Sequence, residues 1–339
     1  MPTPRKAQIS LQDTPYYHCV SRCVRRGFLC GKDEITKKDY SYRRKWLEDR
    51  LLEISQIFAI DICAYAIMDN HFHVVLHVDE EQAKAWSTEE VLHHWHKEYK
   101  GTLLTQRYMN ENERVNMSEP EVDAVISSAN IYRQRLYSIS WFMKSINEHI
   151  ARKANKEDDC TGHFWEGRFK SQAFLDEASL IACMAYVDLN PIRADIATTP
   201  EHSDYTSVKK RINEITQSKA TTVNKNTTAR ISKTPQPSIL MPLVGNLRDD
   251  MPKGIAFNLL DYIELVNETG KVIRQDKRGY IRSNTPILER IGIAPTHWLT
   301  LTTEFEQHFT GAASHEEQLM QTYKTHVKSA TNALAANSS

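Results

Sequence analysis

The sequence predicts an α+β fold, namely a ferredoxin-like antiparallel sheet with helices on one face, a helical insert and a small C-terminal domain. The first observation is the order of predicted elements: strand, helix, hairpin, insert, strand, helix, which is a split βαβ layout. The second is size, because 339 residues, 40% of them hydrophobic, can bury a substantial core. The third is a stretch rich in Ser, Thr, Lys, Asn and Pro that lacks apolar periodicity and separates a C-terminal part.

The first part of the predicted fold comprises three strands and one helix. Residues 16–24 are β-rich and partly alternate, which predicts a strand. Residues 39–58 carry apolar side chains at helical spacing. Two further strands follow at Ile62–Ile67 and His71–Val78, and the short turn Met68-Asp69-Asn70 joins them as a hairpin.

The second half contains the insert and the last strand and helix. Ser87 and Glu90 form a capping-box pattern that starts a helix inside the insert, which spans about 81–160. Residues 119–155 have a largely helical pattern, and residues 168–174 are predicted as a strand. A helix that starts at Asp176 must end near Asn190, because Pro191 follows.

The composition along the chain predicts four parts. Residues 1–215 form the main domain, and 216–240 form a flexible linker. Residues 241–325 form a C-terminal accessory domain of unknown role, and 326–339 form a tail.

Charge and cysteine content restrict the class of protein. Lys plus Arg equals Asp plus Glu at 43 each, although residues 1–60 hold 12 basic and 7 acidic side chains, as a phosphate-binding face or a solvated helix would. No apolar run reaches the roughly 18–20 residues of a membrane span, so no membrane partner is expected. The start lacks the apolar stretch of a secretory signal, and six cysteines in so long a chain do not form a disulfide framework. These features predict a reduced, cytoplasmic protein.

The pair His71 and His73 is the first chemical signal. Side chains alternate between the two faces of a strand, so both imidazoles point the same way, roughly 6–7 Å apart. Such a pair suits one divalent ion, although an ordinary half-buried histidine pair has the same pattern. His77 shares their parity, but it lies two pleats farther along and is too distant for the same ion.

Tyr186 and Asn190 are the second signal. They are spaced i and i+4 and therefore lie one turn apart on one face of the predicted helix. The apolar stripe of that helix places Tyr186 on its shoulder, where the hydroxyl can face a cleft or simply face water.

Aromatic residues interleaved with cations are the third signal. Phe164–Lys170 reads FWEGRFK, and such a mixture suits stacking on unpaired bases beside bound phosphates. Exposed cations at strand ends are also common without any ligand. The predicted nucleic-acid-binding residues are Arg22, Arg25, Arg26, Asn70, Trp165, Arg168 and Lys170.

Four motifs in this order resemble those of the single-tyrosine HUH transposases, and most closely the REP-associated tyrosine transposases. They are YHCVSR at Tyr17–Arg22, AIMDNHFHVV at Ala66–Val75, FWEGRFKS at Phe164–Ser171, and MAYVDLNPIRA at Met184–Ala194. The resemblance covers roughly residues 10–205, and the ordered set is much more specific than any one motif.

The resemblance implies a ferredoxin-like fold and a transposase that cleaves and rejoins single-stranded, hairpin or repeat DNA through a 5′-phosphotyrosine intermediate. It assigns metal binding to His71 and His73, the nucleophile to Tyr186, and a third ligand to Asn190. It implies Mg²⁺ or Mn²⁺, and imidazole ligands favour Mn²⁺. It further implies a homodimer as one possible assembly and a nucleoid-associated location.

The sequence departs from the family pattern in two places, and it is compatible with two alternative functions. Asp69 stands where the family often has proline, and the insert is longer than in compact members. One alternative is a domesticated DNA-binding protein that recognises repeat hairpins without cleavage. The other is a metal-dependent hydrolase in which water is the nucleophile and Tyr186 has no role.

Overall fold

The computed structural model describes residues 9–24, 30–32, 37–223, 236–245, 253–273 and 312–313. The predicted α+β class is confirmed, with a four-stranded antiparallel sheet at its centre. The strands are β1 (Tyr16–Arg22), β2 (Ile60–Ile67), β3 (His71–Val78) and β4 (Lys170–Phe174), in the spatial order β2-β3-β1-β4. This is the strand order of a ferredoxin-like sheet. A two-residue strand, β5 (Ala312–Ala313), pairs parallel with β4.

The antiparallel register of β1 and β4 determines which residues meet at one end of the sheet. His18 lies opposite Gln172, and Val20 lies opposite Lys170. The pairing continues past the strands through a single bridge between Cys23 and Trp165. The end of β1 and the start of β4 are therefore neighbours.

Helices account for most of the remaining described structure. They are α1 (Arg43–Ser55), α2 (Glu80–Ala85), α3 (Thr88–Glu98), α4 (Leu103–Met109), α5 (Glu111–Arg114), α6 (Glu119–Leu136), α7 (Ile139–Glu157), α8 (Glu177–Asp188), α9 (Asn190–Arg193), α10 (Ser207–Val223) and α11 (Leu259–Ile273). Among these described helices, none is both long and apolar enough to cross a bilayer. All six cysteines are free thiols, as predicted.

The chain divides into two compact units. The second, which we call the helical unit, comprises residues 46–61 and 77–164 and contains the predicted insert. The predicted capping box is present, since Ser87 and Glu90 each accept a hydrogen bond from the other's backbone N–H. Trp95 stacks on Tyr132 inside this unit, with ring centroids 4.4 Å apart. His77 bonds Asp61 here (2.8 Å), consistent with its predicted separation from the histidine pair.

The first unit, which we call the sheet unit, comprises residues 1–45, 62–76 and 165–339. Helix α8 is the centre of its core, and every residue from Ala178 to Asp188 is buried. The prediction that α8 is amphipathic is therefore wrong. Apolar side chains from the C-terminal part pack in the same cluster as α8; they are Met241, Leu243, Ile255, Phe257, Leu259, Tyr262, Leu265 and Val266.

The predicted linker begins later than its composition suggests, and the C-terminal part contributes to the core of the sheet unit. Helix α10 continues to Val223, beyond the predicted start of the linker at residue 216. Residues 236–245 and 253–273 then contribute to the core of the sheet unit. A separate accessory domain over 241–325 stays a prediction, because most of that range lies outside the described residues.

Candidate active site

Strand β3 presents His71 and His73 to the same face of the sheet, as the alternation of side chains requires. Their ring centroids are 4.9 Å apart. His73 is buried, with 1% of its surface exposed, whereas His71 is half-buried. The two imidazoles thus lie side by side, one deep and one near the surface.

A third histidine, His18 on β1, completes this group. Its ring stacks on that of His73 at 5.1 Å with an interplanar angle of 8°. His18 Nε2 and His73 Nδ1 are 2.9 Å apart and share a hydrogen bond. His18 lies within the motif at Tyr17–Arg22, but no role was predicted for it. The only local signal was its place beside Tyr17 in a strand that precedes the cationic residues.

Hydrogen bonds engage the Nδ1 atom of both predicted metal ligands. His71 Nδ1 lies 2.6 Å from Asn70 Oδ1, and His73 Nδ1 meets His18. In the part of the chain that the structure describes, the buried Nε2 atom of His73 has no hydrogen-bond partner. A buried polar atom without a partner is costly, so this nitrogen indicates where a ligand binds.

Burial keeps the three histidines neutral at physiological pH. It lowers the pKa of His18 to about 3 and, with the nearby Arg22 charge, lowers the pKa of His71 to about 4. Burial also lowers the pKa of His73 well below its usual value, and the neighbouring His18 and His71 add to this effect. Neutral imidazoles are the form that binds a metal ion.

Tyr186 on α8 lies next to the histidines. Its ring centroid is 5.9 Å from that of His73 and 6.4 Å from that of His18, with both pairs close to perpendicular. The side chain is 8% exposed. The guanidinium of Arg193 lies 4.4 Å from the centre of the Tyr186 ring, a cation–π contact that the sequence did not reveal.

Asn190 follows the end of α8 and begins α9. Leu189, between the two helices, keeps right-handed helical dihedrals (φ −85°, ψ −7°), so Tyr186 and Asn190 remain about one turn apart. Asn190 Nδ2 donates to Val187 O at 3.4 Å. The amide oxygen is therefore the atom with which Asn190 would meet a cation.

A buried polar network fixes the opposite side of α8. Asp188, which is fully buried, accepts hydrogen bonds from Ser207 Oγ (2.6 Å), Val208 N (3.0 Å) and Tyr262 Oη (2.6 Å). Burial raises the pKa of Asp188 to about 6, and the three donors counteract this effect. Tyr262 belongs to α11, so this network connects the C-terminal part to the helix that carries Tyr186.

Arg211 contributes a buried positive charge to the same region. Its fully buried guanidinium donates to Cys63 O (3.0 Å) and Met241 O (2.9 Å). Its charge nevertheless lowers the pKa of Asp188, while burial lowers the pKa of Arg211 itself. The backbone at Met241 is thereby fixed against strand β2.

Three of the predicted nucleic-acid-binding residues form a cationic end of the sheet. Arg22, Arg168 and Lys170 are exposed, and Glu166 N donates to Arg22 O at 2.9 Å. Trp165 is half-buried, with its ring 5.8 Å from that of Phe72. Arg25 and Arg26 lie outside the described residues.

The two residues of the turn before His71, Asp69 and Asn70, both have partners within the protein. Asp69 forms an ion pair with Arg44, and its backbone carbonyl accepts from Cys30 N (2.8 Å). Its carboxylate is therefore paired with a cation. Asn70 places its side-chain oxygen on His71, and its predicted role in nucleic-acid binding stays a prediction.

The residues of this site fit a divalent ion in part. Within the described ranges, no group of three or more His, Cys, Asp or Glu side chains is arranged to hold a metal ion. His71 and His73 offer two neutral imidazoles, one with the unpartnered Nε2 described above. Any further ligands must be an amide such as that of Asn190, water or a phosphate oxygen, which leaves room for a substrate.

Comparisons with known proteins do not show the family of this chain. No family model matches the chain, and no curated protein matches it. Among solved structures, a REP-associated tyrosine transposase bound to a REP hairpin is similar, with a TM-score of 0.35 and 8% sequence identity. The similarity covers 59% of this chain and 81% of that one. A likeness of this size assigns neither a fold nor a function to this chain.

Proposed function

We propose that this chain is a DNA transposase, or single-strand endonuclease, that cleaves and rejoins single-stranded or hairpin DNA with Tyr186 as its nucleophile. One observation carries the proposal. His71 and His73 on β3 and Tyr186 on α8 come together from distant parts of the sequence, and the Tyr186 and His73 rings are 5.9 Å apart. A tyrosine beside a metal-binding histidine pair suits phosphoryl transfer.

Tyr186 supplies the covalent step. Its phenolic oxygen attacks the phosphorus, forms a phosphotyrosine bond and displaces the 3′ oxygen of the preceding nucleotide. The proton lost by the phenol is balanced by the proton that the 3′ oxygen gains as it becomes a hydroxyl. The new ester conserves the bond energy, so attack by a 3′ hydroxyl on the phosphotyrosine reverses the step and rejoins DNA without ATP.

His71 and His73 would hold a divalent ion, Mg²⁺ or more naturally Mn²⁺, and Asn190 is the proposed third protein ligand. When bound, this ion supplies Lewis-acid stabilisation of charge on the phosphate oxygens. Arg193, 4.4 Å from the centre of the Tyr186 ring, places a positive charge beside the nucleophile. That charge favours an anionic substrate at this position.

The cationic end of the sheet would bind the DNA strand. Arg22, Arg168 and Lys170 offer exposed charges for phosphates, and the partly exposed Trp165 offers an aromatic ring for an unpaired base. The two units also carry net charges of opposite sign. The helical unit contains 19 acidic and 12 basic residues, whereas the sheet unit contains 24 acidic and 31 basic. This division favours DNA binding by the sheet unit.

The test is a covalent-adduct assay with labelled single-stranded hairpin DNA and Mn²⁺, read on a denaturing gel. We expect a label at the 3′ end of the DNA to migrate with the protein. A label at the 5′ end should appear in a shorter free fragment that carries a 3′ hydroxyl. Tyr186→Phe should abolish both products.

Tyr205→Phe is the matched control, since it removes a half-buried tyrosine hydroxyl from the same unit. An adduct that persists in Tyr186→Phe and disappears in Tyr205→Phe would overturn the choice of nucleophile. Cleavage without any adduct would identify a hydrolase. Binding without cleavage would identify a DNA-binding protein of repeat hairpins.

A further inference from the structure

The partners of His73 suggest a role for two residues outside the proposed ligand set. His18 Nε2 bonds His73 Nδ1 at 2.9 Å, and the Gln172 side chain in turn hydrogen-bonds His18. Gln172 lies directly opposite His18 in the pairing of β1 with β4. His73, His18 and Gln172 therefore form one hydrogen-bonded row across three neighbouring strands.

We propose that His18 is a positioning residue which, supported by Gln172, holds His73 in the tautomer whose Nε2 lone pair faces the cation site. This inference rests on the proposed function of that site. It extends that function by naming the group that prepares one of the ligands.

The proton positions follow from which atoms can accept. A neutral imidazole has one N–H and one acceptor nitrogen, and the bond made by one nitrogen determines the state of the other. If His73 Nε2 is to bind a cation, Nδ1 must carry the proton and donate it to His18 Nε2. His18 must then carry its own proton on Nδ1, for which the Gln172 amide oxygen is a suitable acceptor. One consistent pattern thus satisfies all three side chains.

His71 shows the same arrangement with a different partner. Asn70 Oδ1 can only accept, so the 2.6 Å contact requires His71 Nδ1 to be the donor. This leaves the Nε2 atom of His71 as the acceptor nitrogen, as in His73. Partners of this kind fix the orientation and tautomer of metal-binding histidines in many proteins.

The surroundings of His18 argue against the alternative that it is itself a ligand. It is buried, with 3% exposed, and its Nε2 is already used by His73. Among the described residues, no third His, Cys, Asp or Glu joins His71 and His73 as a metal-binding group. By contrast, His73 Nε2 is buried and unpartnered, which is the state expected of the ligand atom.

The experiment measures Mn²⁺ binding to the full chain without DNA, by electron paramagnetic resonance titration of free Mn²⁺. His18→Leu removes the acceptor at nearly the same volume and should weaken Mn²⁺ binding by about 10–100-fold. His18→Gln places an amide oxygen where it can accept from His73 Nδ1, so most of the affinity should return. Gln172→Leu should cause a smaller loss. Equal Mn²⁺ affinity in wild type and a folded His18→Leu variant would overturn the proposal.

A second measurement does not depend on a variant that folds. Nitrogen NMR of the wild-type protein labelled with ¹⁵N-histidine should show His73 protonated at Nδ1 before metal is added. Protonation at Nε2 would overturn the proposal. The two proposals can fail separately: an adduct without any effect of His18 on Mn²⁺ affinity refutes only the present inference. A clear His18 effect without an adduct refutes only the proposed reaction.

Discussion

The hydrogen bond from Tyr262 to Asp188 connects the C-terminal helix to the helix of the proposed nucleophile, and Tyr262→Phe removes only that bond. Both side chains are fully buried, and the Oη–Oδ2 distance is 2.6 Å. Burial raises the pKa of Tyr262 well above its usual value, so its hydroxyl remains protonated and donates. At pH 7.5 the Asp188 carboxyl is mostly ionised, because its pKa is about 6.

The expected cost follows from the burial of the charge. A hydrogen bond to a charged group contributes about 1.5–3 kcal/mol, and water cannot replace it at a buried site. Tyr262→Phe should therefore reduce the free energy of unfolding by about that amount. For a domain of this size, the midpoint of thermal unfolding should fall by about 3–12 °C.

Denaturant unfolding of four proteins measures the bond itself. Wild type, Tyr262→Phe, Asp188→Asn and the double variant form a double-mutant cycle, and the loss caused by Tyr262→Phe should be smaller when position 188 is neutral. Leu260→Ala is the control on the same helix, because Leu260 is 52% exposed. A loss below about 0.5 kcal/mol, or an equal loss in both backgrounds, would refute the assigned role.

Three further predictions use the buried charges and the cationic end of the sheet. Because the pKa of Asp188 is raised, its contribution to stability is lost as pH rises from about 4 to 6. In denaturant unfolding, the free energy of unfolding of wild type should therefore fall relative to that of Asp188→Asn across that window. Parallel pH curves for the two proteins would contradict this. The lowered pKa of His18, about 3, has the opposite effect: its contribution to stability is present above about pH 6.5 and is lost as pH falls towards 3. His18→Gln should therefore reduce the fall in the midpoint of thermal unfolding between pH 6.5 and 3. Lys170→Ala should weaken binding of single-stranded DNA and reduce its salt dependence by about one counterion in fluorescence anisotropy, whereas Lys84→Ala in the helical unit should change neither.

Features of the site that depend on local periodicity were predictable from the sequence. Strand β3 was predicted at His71–Val78 and has those bounds in the structure. Alternation within a strand needs no distant information, so the common direction of His71 and His73 followed from their spacing alone. The N-cap of α8 at Asp176 was also predicted, because a cap is a contact between residues three apart.

Features that depend on distant residues were not predictable. Helix α8 was expected to have an exposed face, yet it is buried all round because side chains from 241–243 and 255–266 pack in its cluster. His18 meets His73 from 55 positions away, and Tyr262 meets Asp188 from 74. A single buried histidine or aspartate carries no mark of its partner in the sequence, so only the tertiary structure could identify these pairs.

The shared core extends the part of this chain on which the proposed active site depends. The last of the four motifs ends at Ala194, but side chains that cover α8 come from 241–243 and 255–266. Truncation near residue 215 would expose those apolar contacts to water and leave Asp188 without the Tyr262 hydroxyl. Both losses act on the helix that positions Tyr186, about half a turn from Asp188. The C-terminal segments at 236–245 and 253–273 therefore belong to the folding unit of the proposed nucleophile.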